Sequence, residues 1–263
     1  MSAEVRILAV GDIIGKPGRT AVSEFLGEIK ARENIDACIA NGENSAGGIG
    51  ITPPVAEELF SAGVDIITTG NHVWDKKEVK EIMGRRRNLL RPYNYPQGAP
   101  GPGYELLEIK GGVKIGVLNL AGRVFMANLD CPFRKGEEAV RIIKESTPVI
   151  IIDIHAEATA EKAAIGWHFD GLVSAVFGTH THVQTADERL LPGKTAYITD
   201  IGMTGSLDSV IGVDRRQVIQ RFLTQMPVRL QPESGNIQIS GVIIGIDPET
   251  GRALSIKRLQ QKV

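Results

Sequence analysis

Seven residues with metal-ligating side chains stand directly after short apolar runs: Asp12, Glu43, Asn44, Asn71, His155, His180 and His182. His72 follows Asn71, so four of the five histidines fall in or beside these positions. Carboxylate, amide and imidazole donors without thiolate suit iron, manganese or zinc and disfavour a structural zinc site. One ion could not use seven such donors beside a substrate, whereas two ions sharing a bridging carboxylate could. A paired-ion site does hydrolysis: it acidifies a water and clamps the attacking and leaving oxygens of an in-line displacement. With two carboxylates, neutral imidazoles and one hydroxide, two divalent ions leave about one positive charge, a complement to a phosphodiester anion.

Each residue taken singly has a plainer reading. Asp12, ahead of Gly15 and Pro17, fits a turn. Asn44 and Asn71 fit turn positions too, because asparagine tolerates left-handed backbone. His155 fits a hydrogen-bonded core histidine. His180-Thr181-His182 resists such a reading, since residues two apart in extended chain project to one side. His72 is placed either to give a proton to a leaving oxygen or to bond a neighbouring carboxylate. Asp153, on the same strand face as His155, either orients that ring or serves the core. His168 has no ligand spacing.

These residues need elements that gather them. Apolar runs at 5–10, 35–40, 64–68, 149–154 and 172–177 predict buried strands. Helices are expected after Pro17, after Thr52 as N-cap, from Asp75 as a cap through Met83, and over 136–144, 157–169 and 216–226. Residues 104–109 and 113–120 around Lys110-Gly111-Gly112 predict a hairpin, and 189–191, 196–199, 237–246 and 253–258 predict further strands. Helices alternating with strands in one half and hairpins in the other predict an α/β sandwich with a mixed sheet, or else a doubly wound sheet with a β-rich cap. Ligands of open α/β sheets bind beyond the carboxyl ends of the strands, where the seven residues fall. Residues 11–18 have neither the spacing of a Walker A loop nor that of a dinucleotide fingerprint. Arg85-Arg86-Arg87 reads as solvated charge at a helix end, and Gly47, Gly48 and Gly50 as a surface loop.

Composition narrows the partners. The chain has 263 residues and a net charge of -1, which argues against an electrostatically driven duplex-DNA binder. Only 5% aromatic residues argue against an extended single-strand platform. The length fits one large domain over 1–263. Cys38 and Cys131 make no disulfide framework, and there is neither a leader pattern nor an apolar run of roughly 20 residues. A cytoplasmic protein without membrane contact is expected, and exposed hairpins permit a homo-oligomer. Substrate selection is expected in the loops 123–134 and 202–213.

The order Gly11-Asp12, Asn41-Gly42-Glu43-Asn44, Gly70-Asn71-His72, His155, Gly178-Thr179-His180-Thr181-His182 resembles the calcineurin-like metallophosphoesterases. Two departures stand out: Ile14 replaces the usual first-motif histidine, and Glu43 replaces the usual bridging aspartate. Both, together with residues 200–205, are similar to the bacterial YmdB family of cyclic-nucleotide phosphodiesterases. That resemblance implies a four-layer α/β/β/α sandwich with mixed sheets and a dimetal centre of iron or manganese. It implies one ion on Asp12, Glu43, Asn44 and His182 and another on Glu43, Asn71, His155 and His180, with Asn44 in place of the missing histidine. The activity implied is hydrolysis of 2′,3′-cyclic nucleotides or other small phosphodiesters. A phosphomonoesterase or protein phosphatase, or a regulatory member binding RNA or protein, is the alternative.

Overall fold

The computed structural model, which describes residues 4–263, holds two mixed sheets packed face to face between helices. Its first half runs β1 (Val5–Val10), β2 (Asp12–Ile13), α1 (Gly15–Glu33), β3 (Ala37–Asn41), α2 (Pro53–Ser61), β4 (Ile66–Thr68), α3 (Val79–Met83), β5 (Tyr104–Glu108) and β6 (Lys114–Ala121). There follow α4 (Pro132–Lys144), β7 (Ile150–His155), α5 (Thr159–His168), β8 (Ala175–Thr179), β9 (Arg189–Leu190), β10 (Ala196–Ile198), β11 (Met203–Ser206), α6 (Arg215–Thr224), β12 (Ile237–Ile246) and β13 (Ala253–Lys262). One sheet has the order β2-β11-β12-β1-β3-β4, with β13 also paired to β12; the other is β5-β6-β7-β8-β10-β9. The strands β1, β3 and β4 run parallel, as do β6, β7, β8 and β10.

Strand alternation divides the core into layers. In β1, Ile7 and Ala9 meet Val117, Ile151 and Phe177 between the sheets, whereas Leu8 and Val10 pack with Val22 and Leu26 of α1. In β7, Ile150, Ile152 and Ile154 pack with Val140 and Ile143 of α4 and Ile165 of α5. Sheets covered on both faces explain why these strands read as continuous apolar runs. The layers are α/β/β/α, and the single doubly wound sheet with a cap is not formed. The same alternation turns Asp153 and His155 toward the opposite sheet, with Ile151. The carboxyl ends of β1, β3, β4, β7 and β8 supply or lead directly to every candidate ligand. Among the described residues no helix is long and apolar enough to cross a membrane.

Several boundaries differ from expectation for physical reasons. The helix expected from Asp75 begins only at Val79, because the Asp75 carboxylate bonds His72 at 2.7 Å instead of capping. Thr52 holds the N-cap position of α2, yet its hydroxyl makes no capping bond; Pro54, at N2, has no N–H to offer. The last strand runs on through polar Gln260 and Gln261 because β12 pairs with it along its length. Two short strands lie within stretches read as loops: β2 carries Asp12 and pairs with β11 through Met203.

Candidate metal centre

The seven residues converge in two groups. His155 Nε2 lies 2.9 Å from Glu43 Oε1, 3.0 Å from Asn71 Oδ1 and 3.0 Å from His180 Nδ1. His182 Nε2 lies 3.6 Å from Asp12 Oδ1 and 3.1 Å from the Asn44 amide nitrogen, where a half-turn of the amide would bring its oxygen. The His180 backbone N–H donates to Asp12 Oδ2 at 3.2 Å and joins the groups. Glu43, His155 and His180 alone offer three ligand atoms within 4.8 Å of one another.

Hydrogen bonds on the outer edges decide how the rings face. Thr179 Oγ1 gives its one proton to Asp153 Oδ1 at 2.8 Å, so it accepts from His155 Nδ1–H at 2.9 Å. The Nε2 lone pair is left for the cluster. His180 turns Nε2 to Glu157 Oε2 at 3.0 Å, and His182 gives Nδ1–H to the Ile211 carbonyl at 2.9 Å. All three rings are thus anchored from outside by an oxygen acceptor, the arrangement that fixes the tautomer of metal-binding histidines. Inside, Asp12 Oδ1 and Glu43 Oε1 are buried with no hydrogen-bond donor. A buried carboxylate oxygen without a donor is costly unless a cation satisfies it. The donor set therefore fits ions, and its oxygen and nitrogen atoms suit iron, manganese or zinc.

Where imidazolium charge stands in for that of a bound ion, it keeps the carboxylates ionised. Burial raises Asp12, but His182 and His155 outweigh it and hold the carboxyl near a pKa of about 2. Burial raises Glu43 as well, and the His155 charge outweighs it, so that carboxyl too is lowered. Burial and then the His155 charge push His180 down to about 4. Burial lowers His182, yet Asp12 overrides it and lifts that ring to about 9. Burial lifts Asp153 to about 7 against the hydrogen bonds from Thr68 and Thr179.

Local geometry explains one glycine of the motifs and the convergence of the paired histidines. A Cβ on Gly70 would sit 2.1 Å from His155 Cδ2, so only glycine lets the end of β4 pass under that ring. His180 and His182 carry φ of 99° and 64°. Their convergence therefore comes from left-handed backbone, which histidine tolerates better than most residues, and not from the extended alternation expected. A cavity of about 640 Å³ opens over the cluster, lined among others by His72, Gly48, Ile49, Glu157, Ile211 and Arg221. A second cleft, of about 580 Å³, lies at the opposite end of the strands beside Lys144, Lys194 and Arg252, away from these groups.

A model of YmdB-like proteins matches residues 8–259, nearly the whole chain. The chain belongs to the YmdB-like family. It is 48% identical over 255 residues to the 2′,3′-cyclic-nucleotide 2′-phosphodiesterase of Bacillus subtilis (strain 168), covering 97% of this chain and 96% of that one. A crystal structure of a phosphatase from Mycoplasma pneumoniae superposes with a TM-score of 0.93 at 32% identity, covering 100% and 95% of the two chains. A hypothetical protein from Thermus thermophilus superposes with a TM-score of 0.91 at 39% identity, covering 98% and 99%. The fold and family of this YmdB-like chain are those of phosphoric diester hydrolases.

The remaining residues singled out in the sequence also find places. His72 gives its backbone N–H to Glu43 Oε2 at 3.1 Å, and its ring is tied to Asp75 at the cavity edge. Asp153 acts on His155 through Thr179, not directly. His168 pairs with Glu137 on the surface, and Arg86 and Arg87 pair with Glu57 and Glu105. Gly47 and Gly48 line the cavity of this YmdB-like protein and are more than a surface loop. Sequence reasoning passed over Glu157, Thr179 and the Ile211 carbonyl, the outer partners of the three rings. Glu157 was within reach, since it stands two residues beyond His155; the Ile211 carbonyl carries no side-chain signal.

Proposed function

We propose that this phosphoric diester hydrolase opens 2′,3′-cyclic nucleotides at the P–O2′ bond, with two metal ions held by Asp12, Glu43, Asn44, Asn71, His155, His180 and His182. The observation that carries the reading is the set of three outward-anchored imidazoles whose free nitrogens meet two donorless buried carboxylate oxygens. Divalent ions at such a site supply Lewis acidity for the phosphoryl group and a water acidic enough to attack near neutral pH. Asp12 and Glu43 set the site's negative charge, so its excess positive charge with ions bound matches a singly charged diester. The name of the Bacillus subtilis relative favours the 2′ bond, which leaves a 3′-phosphate.

In this reading water adds to phosphorus, the P–O2′ bond breaks, and O2′ takes up a proton. His72 is the group assigned to that proton. Its Nδ1 edge is held by Asp75 at 2.7 Å, which fixes the ring, while Nε2 has no partner among the described residues. The protonated ring gives Nε2–H to the departing O2′ and returns to the cation from solvent. Ile49 and Ile211 offer apolar surface at the cavity on which a nucleoside could rest.

The test is hydrolysis of 2′,3′-cyclic AMP by purified protein of measured metal content. About two ions per chain and 3′-AMP as product are expected, with Glu43→Gln and His155→Ala folded but inactive. Folded protein with two ions and no diesterase activity sinks the reading. Faster turnover of p-nitrophenyl phosphate than of its bis ester would move the assignment to a monoesterase.

A further inference from the structure

Lys162 and Asp200 form an ion pair of 2.6 Å with 1% and 0% of their side chains exposed, and nothing above uses it. Removing two charges from water is costly, and hydrophobic replacements are often as stable, so such a pair is poorly explained by stability alone. Its contacts point elsewhere. Asp200 Oδ2 accepts from Thr181 Oγ1 at 2.8 Å and from the Thr181 backbone N–H at 3.2 Å. Thr181 is the residue between His180 and His182. Asp200 Oδ1 accepts from Gly202 N–H at 2.8 Å, and the Gly202 carbonyl in turn accepts from Asp12 N–H at 3.1 Å. One carboxylate therefore reaches the two imidazoles from one sheet and the aspartate from the other. Gly178 stands beside the pair: a Cβ there would lie 1.9 Å from the Thr199 carbonyl oxygen and 2.8 Å from Lys162 Cδ.

We infer that Asp200, neutralised by Lys162, is a positioning residue that clamps the left-handed His180-Thr181-His182 turn against Asp12 and thereby sets metal affinity. The inference rests on the metal-centre reading above. Left-handed φ at two non-glycine residues is strained and persists only where the surroundings over-determine it. The two bonds from Thr181 to Asp200 supply that constraint. Lys162 is needed because a buried carboxylate without a countercharge would take up a proton or drag in water.

The experiment is titration of metal-free protein with Mn²⁺, reading stoichiometry and affinity, alongside circular dichroism and the melting temperature of the metal-free form. Asp200→Asn keeps the shape and removes the charge; about a 10–100-fold weaker affinity for at least one of the two ions is expected. Thr181→Val leaves the ion pair intact and removes only the hydroxyl bond, with a loss of about three- to tenfold expected. A lower melting temperature with unchanged Mn²⁺ affinity in Asp200→Asn would make the pair merely structural and overturn the inference. Should Asp200→Asn not fold, unchanged affinity in Thr181→Val overturns it equally. Wild-type protein that binds no Mn²⁺ would instead refute the metal-centre reading itself.

Discussion

Alanine at position 70 should disable the centre without replacing a candidate ligand. Gly70 has no left-handed φ, so alanine meets no backbone penalty there. Its Cβ would lie 2.1 Å from His155 Cδ2 and 2.3 Å from Nε2, the nitrogen facing the cluster. Carbon atoms in contact sit about 3.5–4.0 Å apart, so the ring must retreat by about 1.5 Å. It is fully buried and held by Thr179 at 2.9 Å, so that retreat breaks the anchoring bond and carries Nε2 away from Glu43 and Asn71. Displacement of about 1 Å near the chemistry costs on the order of 100-fold, or about 2.7 kcal/mol of transition-state stabilisation. Gly70→Ala should therefore lose about 100-fold or more in kcat/KM on 2′,3′-cyclic AMP and bind fewer than two Mn²⁺ per chain, with an unchanged circular dichroism spectrum. The double variant with His155→Ala supplies the control. With the ring gone the methyl has nothing to displace, so adding Gly70→Ala should cost less than about threefold more. Wild-type metal content and activity in Gly70→Ala, or full additivity in the double variant, would refute the reasoning.

Three further outcomes follow from the geometry. His72→Ala should keep both ions yet lose about 10²- to 10⁴-fold in kcat, the range of a general acid, whereas loss of an ion would reassign it to metal binding. Chelation should destabilise the protein, and Mn²⁺ at about 100 times its Kd should restore about 2.7 kcal/mol, a rise of about 5–11 °C in Tm by calorimetry. No Tm response to Mn²⁺ would count against a site preformed from buried carboxylates. Burial pushes the Cys38 thiol up to about 12, whereas Cys131 is partly exposed. An aromatic disulfide reagent should thus titrate one thiol in native protein and two after unfolding.

The candidate ligands were legible because strand exits in α/β proteins are marked twice, by an apolar run that stops and by a polar residue where it stops. Asp12, Asn71 and His155 each stand at such a point. The four layers were legible for a related reason: runs such as Ile150 to Ile154 have no polar face and must be covered on both sides. What escaped were features without a side-chain pattern. β2 and β11 are too short for periodicity, and their pairing is a tertiary event. The left-handed turn at His180 and His182 is set by hydrogen bonds to Asp200, which lies near in space but distant in sequence. The late start of the charged helix at Val79 reflects a competing partner for Asp75, one that only the folded chain supplies.

Asp12, Glu43, Asn44 and Asn71 belong to one sheet, while His155, His180 and His182 belong to the other. A ribosome that has released only the first half of the polypeptide has presented oxygen donors and none of the three imidazoles. For the proposed centre, ion capture would then be a late event of biosynthesis, waiting until residue 182 has emerged and the two sheets have docked. Ions seated in the proposed centre would act as rivets across that seam, tying the gain of reactivity to closure of the architecture.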